Sequence, residues 1–210
     1  MFRRFDAATR EEIAGHCAGF VRAAPPGDPA PLKRAAVAIT LVQAQDAADG
    51  TAVLLTLRAP SLRAHSSQWA PPGGRCDPGE TPVETALREL EEEIGLKLGA
   101  GDVLGLLDDY PTRSGYLITP VVVWADDSRR LRPNPAEVAS VHRIALTRIE
   151  RDDAFNFVRI PESERRVIRF SHDGDFIHAP TAALIYQFRE VIAGRATRVA
   201  DLEQPVFAWK

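Results

Sequence analysis

Apolar and polar positions change their period several times along this chain, and each change predicts an element. From Thr9 to Ala24 the apolar residues Ile13, Cys17, Phe20 and Val21 recur at helical spacing and predict an amphipathic helix. The proline-rich stretch 23–31 then breaks the pattern as a linker. Ala35–Gln43 and Ala52–Arg58 are near-continuous runs of Ala, Val, Ile and Leu across a polar, glycine-containing turn, and they predict a pair of strands. Further strands are predicted at Val103–Leu107, Tyr116–Trp124 and Val138–Leu146, and a helix at Ala182–Ile192. The apolar tail QPVFAWK is expected to pack rather than float free. No repeat or low-complexity segment interrupts this mixture of α and β.

The most informative helix begins at Thr81. Thr81 predicts an N-cap, Pro82 occupies the first helical position, and Glu84 completes a capping box. Val83, Ala86, Leu87, Leu90 and Ile94 form one apolar stripe, and Gly95 is placed to stop the helix in a left-handed conformation. Because each residue turns about 100°, Glu89, Glu92 and Glu93 share a face separate from that stripe. Three carboxylates on one face repel one another and add nothing to a helix; a hard divalent cation such as Mg²⁺ or Mn²⁺ would offset the repulsion.

Bulk properties narrow the classes. The 210 residues suit one domain, 45% hydrophobic and 26% charged. A net charge of −3, with no basic stripe interleaved with aromatics, argues against a nucleic-acid partner. Cys17 and Cys76 are too few for a disulfide framework, no apolar run is long enough to span a membrane, and the basic start turns acidic before any apolar segment. These features predict a cytoplasmic protein with no membrane partner. A homodimer built through the terminal helices is compatible with the pattern.

The spacing around the acidic helix is G-x5-E-x7-R-E-U-x-E-E-x-G-U, carried by Gly74, Glu80, Arg88, Glu89, Leu90, Glu92, Glu93, Gly95 and Leu96, with U an aliphatic residue. This is the Nudix box, and residues 35–145 resemble the Nudix hydrolases. The resemblance implies an α/β/α sandwich around a mixed sheet, of the α+β class, with additional N-terminal and C-terminal helices. It divides the chain into an N-terminal helix and linker, 1–34, and a Nudix domain, 35–210, with its core at 35–145 and a C-terminal helical extension at 146–210. It also implies metal-dependent cleavage of a diphosphate linkage in a small-molecule substrate. In that scheme Glu89 and Glu93 are the principal metal ligands, Glu92 assists, and the Gly73 carbonyl completes the shell. Glu80 and Arg88 would orient carboxylates, and Gly73, Gly74 and Gly79 would permit positive φ and close backbone approach to the diphosphate. Glu92 and Glu137 are both candidates for the general base.

Upstream, Leu54, Leu55, Thr56, Arg58, Ala59, Arg63, Pro72, Gly73 and Gly74 match the signature of the coenzyme A pyrophosphatases within this family. Ser67 stands where that group has glycine, and Pro71 where it has phenylalanine. The resemblance implies CoA or acyl-CoA as substrate, with ADP-ribose or another nucleoside diphosphate derivative as the alternative. Arg58, Arg63 and His65 form a cationic cluster suited to an additional phosphate, Trp69 is a candidate to stack a base, and Gly74 allows the backbone to approach substrate.

Overall fold

The computed structural model describes residues 3–24, 32–45, 50–60, 67–128 and 130–209. Helix α1 (Ala7–Gly19) precedes strands β1 (Lys33–Gln43), β2 (Thr51–Arg58), β3 (Trp69–Ala70) and β4 (Gly73–Arg75). The acidic helix α2 (Pro82–Ile94) follows, then β5 (Val103–Leu106), β6 (Tyr110–Pro111), β7 (Tyr116–Trp124) and β8 (Val138–Ala145). A short α3 (Leu146–Ile149), strands β9 (Phe155–Ile160), β10 (Ser163–His172) and β11 (Asp175–His178), and helix α4 (Thr181–Ile192) complete the order.

β1 lies at the centre of an eight-stranded mixed sheet. It runs parallel to β7 from Lys33↔Tyr116 to Leu41↔Trp124 and antiparallel to β2 and β4; β8 pairs with β2. Alternate residues serve two cores, which explains why these strands read as continuous apolar runs. Ala36, Ala38, Leu54, Val121 and Val123 face α2 through Ala86, Leu90 and Ile94. Ile39, Leu41, Val53, Leu55 and Trp124 face the opposite layer, where α1, α4 and the C-terminal strands pack. The architecture is the expected sandwich of helices around a mixed sheet. Among the described residues, no helix is long and apolar enough to cross a membrane.

Helix α1 is capped by Asp6, whose side chain accepts from the Thr9 N–H at 2.9 Å, and it stops at Gly19 rather than Ala24. A competing set of partners ends it. The Ala23 N–H donates to Asp108 at 2.6 Å, and Arg22 reaches the Leu107 carbonyl and Asp109 at 2.7 and 2.8 Å. The chain is thereby drawn out of the helix, leaving Val21 79% exposed.

The region 146–210, expected as a helical extension, also contains a second, three-stranded antiparallel sheet, β9–β10–β11. Phe155, Ile168, Phe170 and Ile177 from this sheet enter the core beneath α4. His172 pairs with Asp175 across Asp173-Gly174, both at positive φ (47° and 87°), the conformation that suits a two-residue hairpin loop.

Candidate active site

Local chemistry places α2. Thr81 accepts from the Glu84 N–H at 3.3 Å, while the Glu84 carboxylate accepts from the Thr81 N–H at 2.8 Å. Gly95, at φ 68°, closes the helix, and the Leu96 N–H returns to the Leu90 carbonyl at 3.1 Å. Two more helix-end carbonyls are satisfied by the following loop: the Arg132 N–H donates to Ile94 and the Asn134 N–H to Glu93, each at 2.8 Å. That docking brings Glu137 to the acidic face. Asn134 Nδ2 donates to Glu137 Oε1 at 3.2 Å.

Arg88 ties the acidic face together. Its Nε and Nη2 fork onto Glu80 at 2.8 and 3.1 Å, Nη1 donates to Glu89 and Glu92 at 2.8 and 2.9 Å, and Nη2 also reaches the Arg75 carbonyl. Glu80 additionally accepts from the Asp77 N–H and the Thr85 hydroxyl. Arg88 first, and the Asp77 N–H next, hold the Glu80 carboxyl down at about 2. Glu80 is thus fully engaged in fixing the loop. Arg88→Ala is expected to lower kcat/KM about 10- to 100-fold, the range for losing a group that orients ligands. Arg88→Lys should recover little, because an ammonium cannot reproduce the fork; steady-state kinetics of both variants check this, and wild-type rates in Arg88→Ala would refute the orienting role.

Glu93 is the buried member of the face, its side chain 4% exposed; Glu89 is part-buried at 12%, whereas Glu92 is 55% exposed. Burial raises the Glu89 carboxyl above its ordinary value. Burial, opposed by Arg58 and reinforced by the charges of Glu89 and Glu137, pushes Glu93 up to about 8. A backbone hydrogen bond from Gly73 acts on Glu93 in the opposite direction. Arg58 Nη1 lies 3.6 Å from Glu93 Oε1, and Arg58 Nε is buried with no hydrogen-bond partner among the described residues. Arg58, read from sequence as a substrate contact, thus faces a box carboxylate and also lines the cavity beside it.

The box glycines serve close approach. A Cβ on Gly74 would fall 2.1 Å from Glu89 Oε1, and one on Gly73 would fall 2.4 Å from the Ala36 carbonyl oxygen. Of the three glycines expected to need positive φ, Gly79 alone has it, at 88°. Gly73 and Gly74 are required because β4 is pressed between β1 and the acidic face.

Among the described residues, no three acidic, histidine or cysteine side chains form a ready-made metal cage. The donor set nevertheless suits a hard divalent cation. It is all oxygen, neighbouring carboxylates raise the proton affinity of Glu89 and of Glu93, and Glu137 adds a fourth carboxylate to Glu89, Glu92 and Glu93.

Beside β4 opens a cavity of about 640 Å³, within the usual range for small-molecule sites. Arg58, Trp69 and Gly73–Arg75 line one side, and Tyr116, Phe176, His178 and Phe207 line the rest. Trp69 is half-buried, edge-on to His142 and His172 at 4.5 and 5.3 Å, and its carbonyl accepts from the Thr181 hydroxyl at 2.7 Å. Arg63 and His65 lie outside the described residues. The aromatic wall from β11 and the tail was not recognised from sequence, because nothing in a linear pattern places that segment opposite the box.

The NUDIX domain profile matches residues 32–163. An uncharacterised Nudix hydrolase, NudL, from Photorhabdus laumondii is 33% identical over 143 residues, covering 67% of this chain and 76% of that protein. Its namesake from Yersinia enterocolitica is 35% identical over 143 residues, covering 67% and 73%. Among solved structures, the Nudix hydrolase RenU from M. smegmatis aligns with a TM-score of 0.49 at 22% identity, covering 83% of this chain and 94% of that one.

Proposed function

Since this chain belongs to the Nudix hydrolase family, whose members act on diphosphate-linked substrates with divalent metal, we propose that it hydrolyses a nucleoside diphosphate joined to a second group, of the ADP-ribose or nucleotide-sugar kind. The observation that carries this reading is the juxtaposition of the part-buried Glu89 and the buried Glu93 with a cavity that opens at Gly73–Arg75. Glu89 and Glu93, assisted by Glu92 and the Gly73 carbonyl, would hold Mg²⁺ or Mn²⁺. The bound ion would clamp the diphosphate, offset charge developing on its oxygens and lower the pKa of the attacking water.

The remaining steps fall to the chain's own residues. Arg88 keeps Glu89 and Glu92 oriented and Glu80 fixes the loop. Glu137 is the better candidate to take the proton of the attacking water, since it faces Glu89 and Glu93 while the more exposed Glu92 is engaged by Arg88. Oxygen from water bonds to one phosphorus, the bridging P–O bond breaks, and the other phosphate leaves with the electron pair.

A second reading, CoA or acyl-CoA, is supported by the match of Leu54–Arg58 and Pro72–Gly74 to the CoA pyrophosphatase signature. One assay across ADP-ribose, a nucleotide sugar, NADH, diadenosine polyphosphates, CoA and acyl-CoA separates the two. Preferred hydrolysis of ADP-ribose or the nucleotide sugar is expected. Cleavage confined to CoA species would establish the second reading, and no cleavage of any diphosphate with Mg²⁺ or Mn²⁺ present would defeat both. On the preferred substrate, Glu137→Gln should lower kcat more than Glu92→Gln if Glu137 accepts the proton.

A further inference from the structure

Among the described residues, the large apolar side chains most open to solvent are Val21, Phe157, Phe176 and Phe207. Two of these four, Phe176 at 44% and Phe207 at 59% exposure, stand together at the cavity beside the box loop. Both lie beyond the 32–163 segment that the family profile matches. Neither position is accidental in the fold. Phe176 sits on β11, paired with Ser171 of β10. The tail that carries Phe207 is pinned where Tyr110 Oη donates to the Leu202 carbonyl at 2.8 Å and Arg113 clasps the buried Glu203 at 2.5 Å.

We propose that Phe176 and Phe207, with His178 between them, form the binding site for the nucleobase of the substrate; this rests on the nucleoside-diphosphate reading of the box. His178 lies edge-on to Phe207 at 5.2 Å and at a steep angle to Phe176 at 6.5 Å, so no ring here is stacked face to face on another. The Arg169 guanidinium, which is not among the residues lining the cavity, lies 4.2 Å from the Phe176 ring centre and supports that ring. A flat heterocycle gains from ring–ring contact as well as apolar burial here, whereas a flexible aliphatic chain would use only the apolar area. Thr112, Ser114 and Thr181 line the same cavity; the Thr112 and Thr181 hydroxyls are engaged by Tyr116 and the Trp69 carbonyl, which leaves the Ser114 oxygen to accept from a polar base edge. Because the cavity continues to Gly73–Arg75, a nucleotide whose base lies on this wall can present its diphosphate to the acidic face.

The test is calorimetric binding of ADP and of inorganic pyrophosphate to the full chain with Mg²⁺, for wild type, Phe176→Ala, Phe207→Ala and Phe176→Trp. ADP affinity is expected to fall about ten-fold or more in each alanine variant, as loss of a stacking ring generally brings. Pyrophosphate affinity should stay unchanged, and Phe176→Trp should retain ADP binding. Equal losses for ADP and pyrophosphate, ADP binding indifferent to both rings, or no ADP binding by wild type would each overturn the proposal. So would weakened binding of 4′-phosphopantetheine with ADP unaffected. Binding is read without turnover, so the two readings fail separately. A chain inactive on every diphosphate but showing the ADP-specific loss keeps this site, and an active chain without that loss keeps the reaction alone.

Discussion

Glu93→Gln is expected to lower turnover by about 100- to 1000-fold or more, at least the loss that follows removal of one transition-state contact, while the fold survives. Glutamine matches glutamate in shape and keeps Gly73 and Arg58 as neighbours, but it cannot supply an anionic oxygen. The substitution should also remove the cost of taking up a proton at this carboxyl on folding, so at neutral pH the variant should be at least as stable as wild type without metal. Opposite movements of activity and stability are the mark of a residue retained for chemistry. Steady-state kinetics with Mg²⁺ beside thermal melts in chelator check both halves, and wild-type turnover would remove Glu93 from the mechanism.

In the metal-free chain, stability is expected to fall as pH rises toward 8. The folded Glu93 carboxyl is raised from 4.5 to about 8, so the folded chain holds a proton that the unfolded chain releases. The stability this contributes is fully present below 4.5 and is lost as pH rises through about 8, on the order of a few kcal/mol in all. His142 and His178 act with the other sign. Burial lowers both below 6.5, so their contribution is present above that value and lost as pH falls. The Glu93 effect is therefore clearest between pH 6.5 and 8. Melts in chelator across that window should show a declining midpoint in wild type, a flatter profile in Glu93→Gln, and recovery at pH 8 on adding Mg²⁺. Identical slopes in the two proteins would show that Glu93 is not the titrating group.

The acidic helix was legible because its instructions are local. Thr81, Pro82, Glu84 and Gly95 each act within about a turn of the backbone they govern, and the structure forms the capping box and the left-handed stop. β1, β2 and β7 were legible because burial on both faces leaves an unbroken apolar run. The early end of α1 was not, since Asp108 and Asp109, which capture Arg22 and Ala23, lie far along the chain. β9–β11 mix arginines with apolar residues, and the pattern was read as part of a helical extension. The Asp173-Gly174 pair was the overlooked hairpin signal. Arg58 shows a different limit: a strand position predicts that a side chain leaves the sheet, but not whether it meets a phosphate or Glu93.

The long parallel register between β1 and β7 has a consequence for the order in which the protein is made. The caps of α2 allow that helix to nucleate by itself, but the strand pairing of β4 among the described residues is with β1, and β1 is bracketed by a strand that is synthesised after the entire box. Closing that long connection is a slow, non-local event. A nascent chain that has already produced Glu89, Glu92 and Glu93 still lacks both β7, the neighbour that locks β1 in the sheet, and Glu137, which follows it. The helix that carries the chemistry is thus complete in sequence before the sheet that positions it.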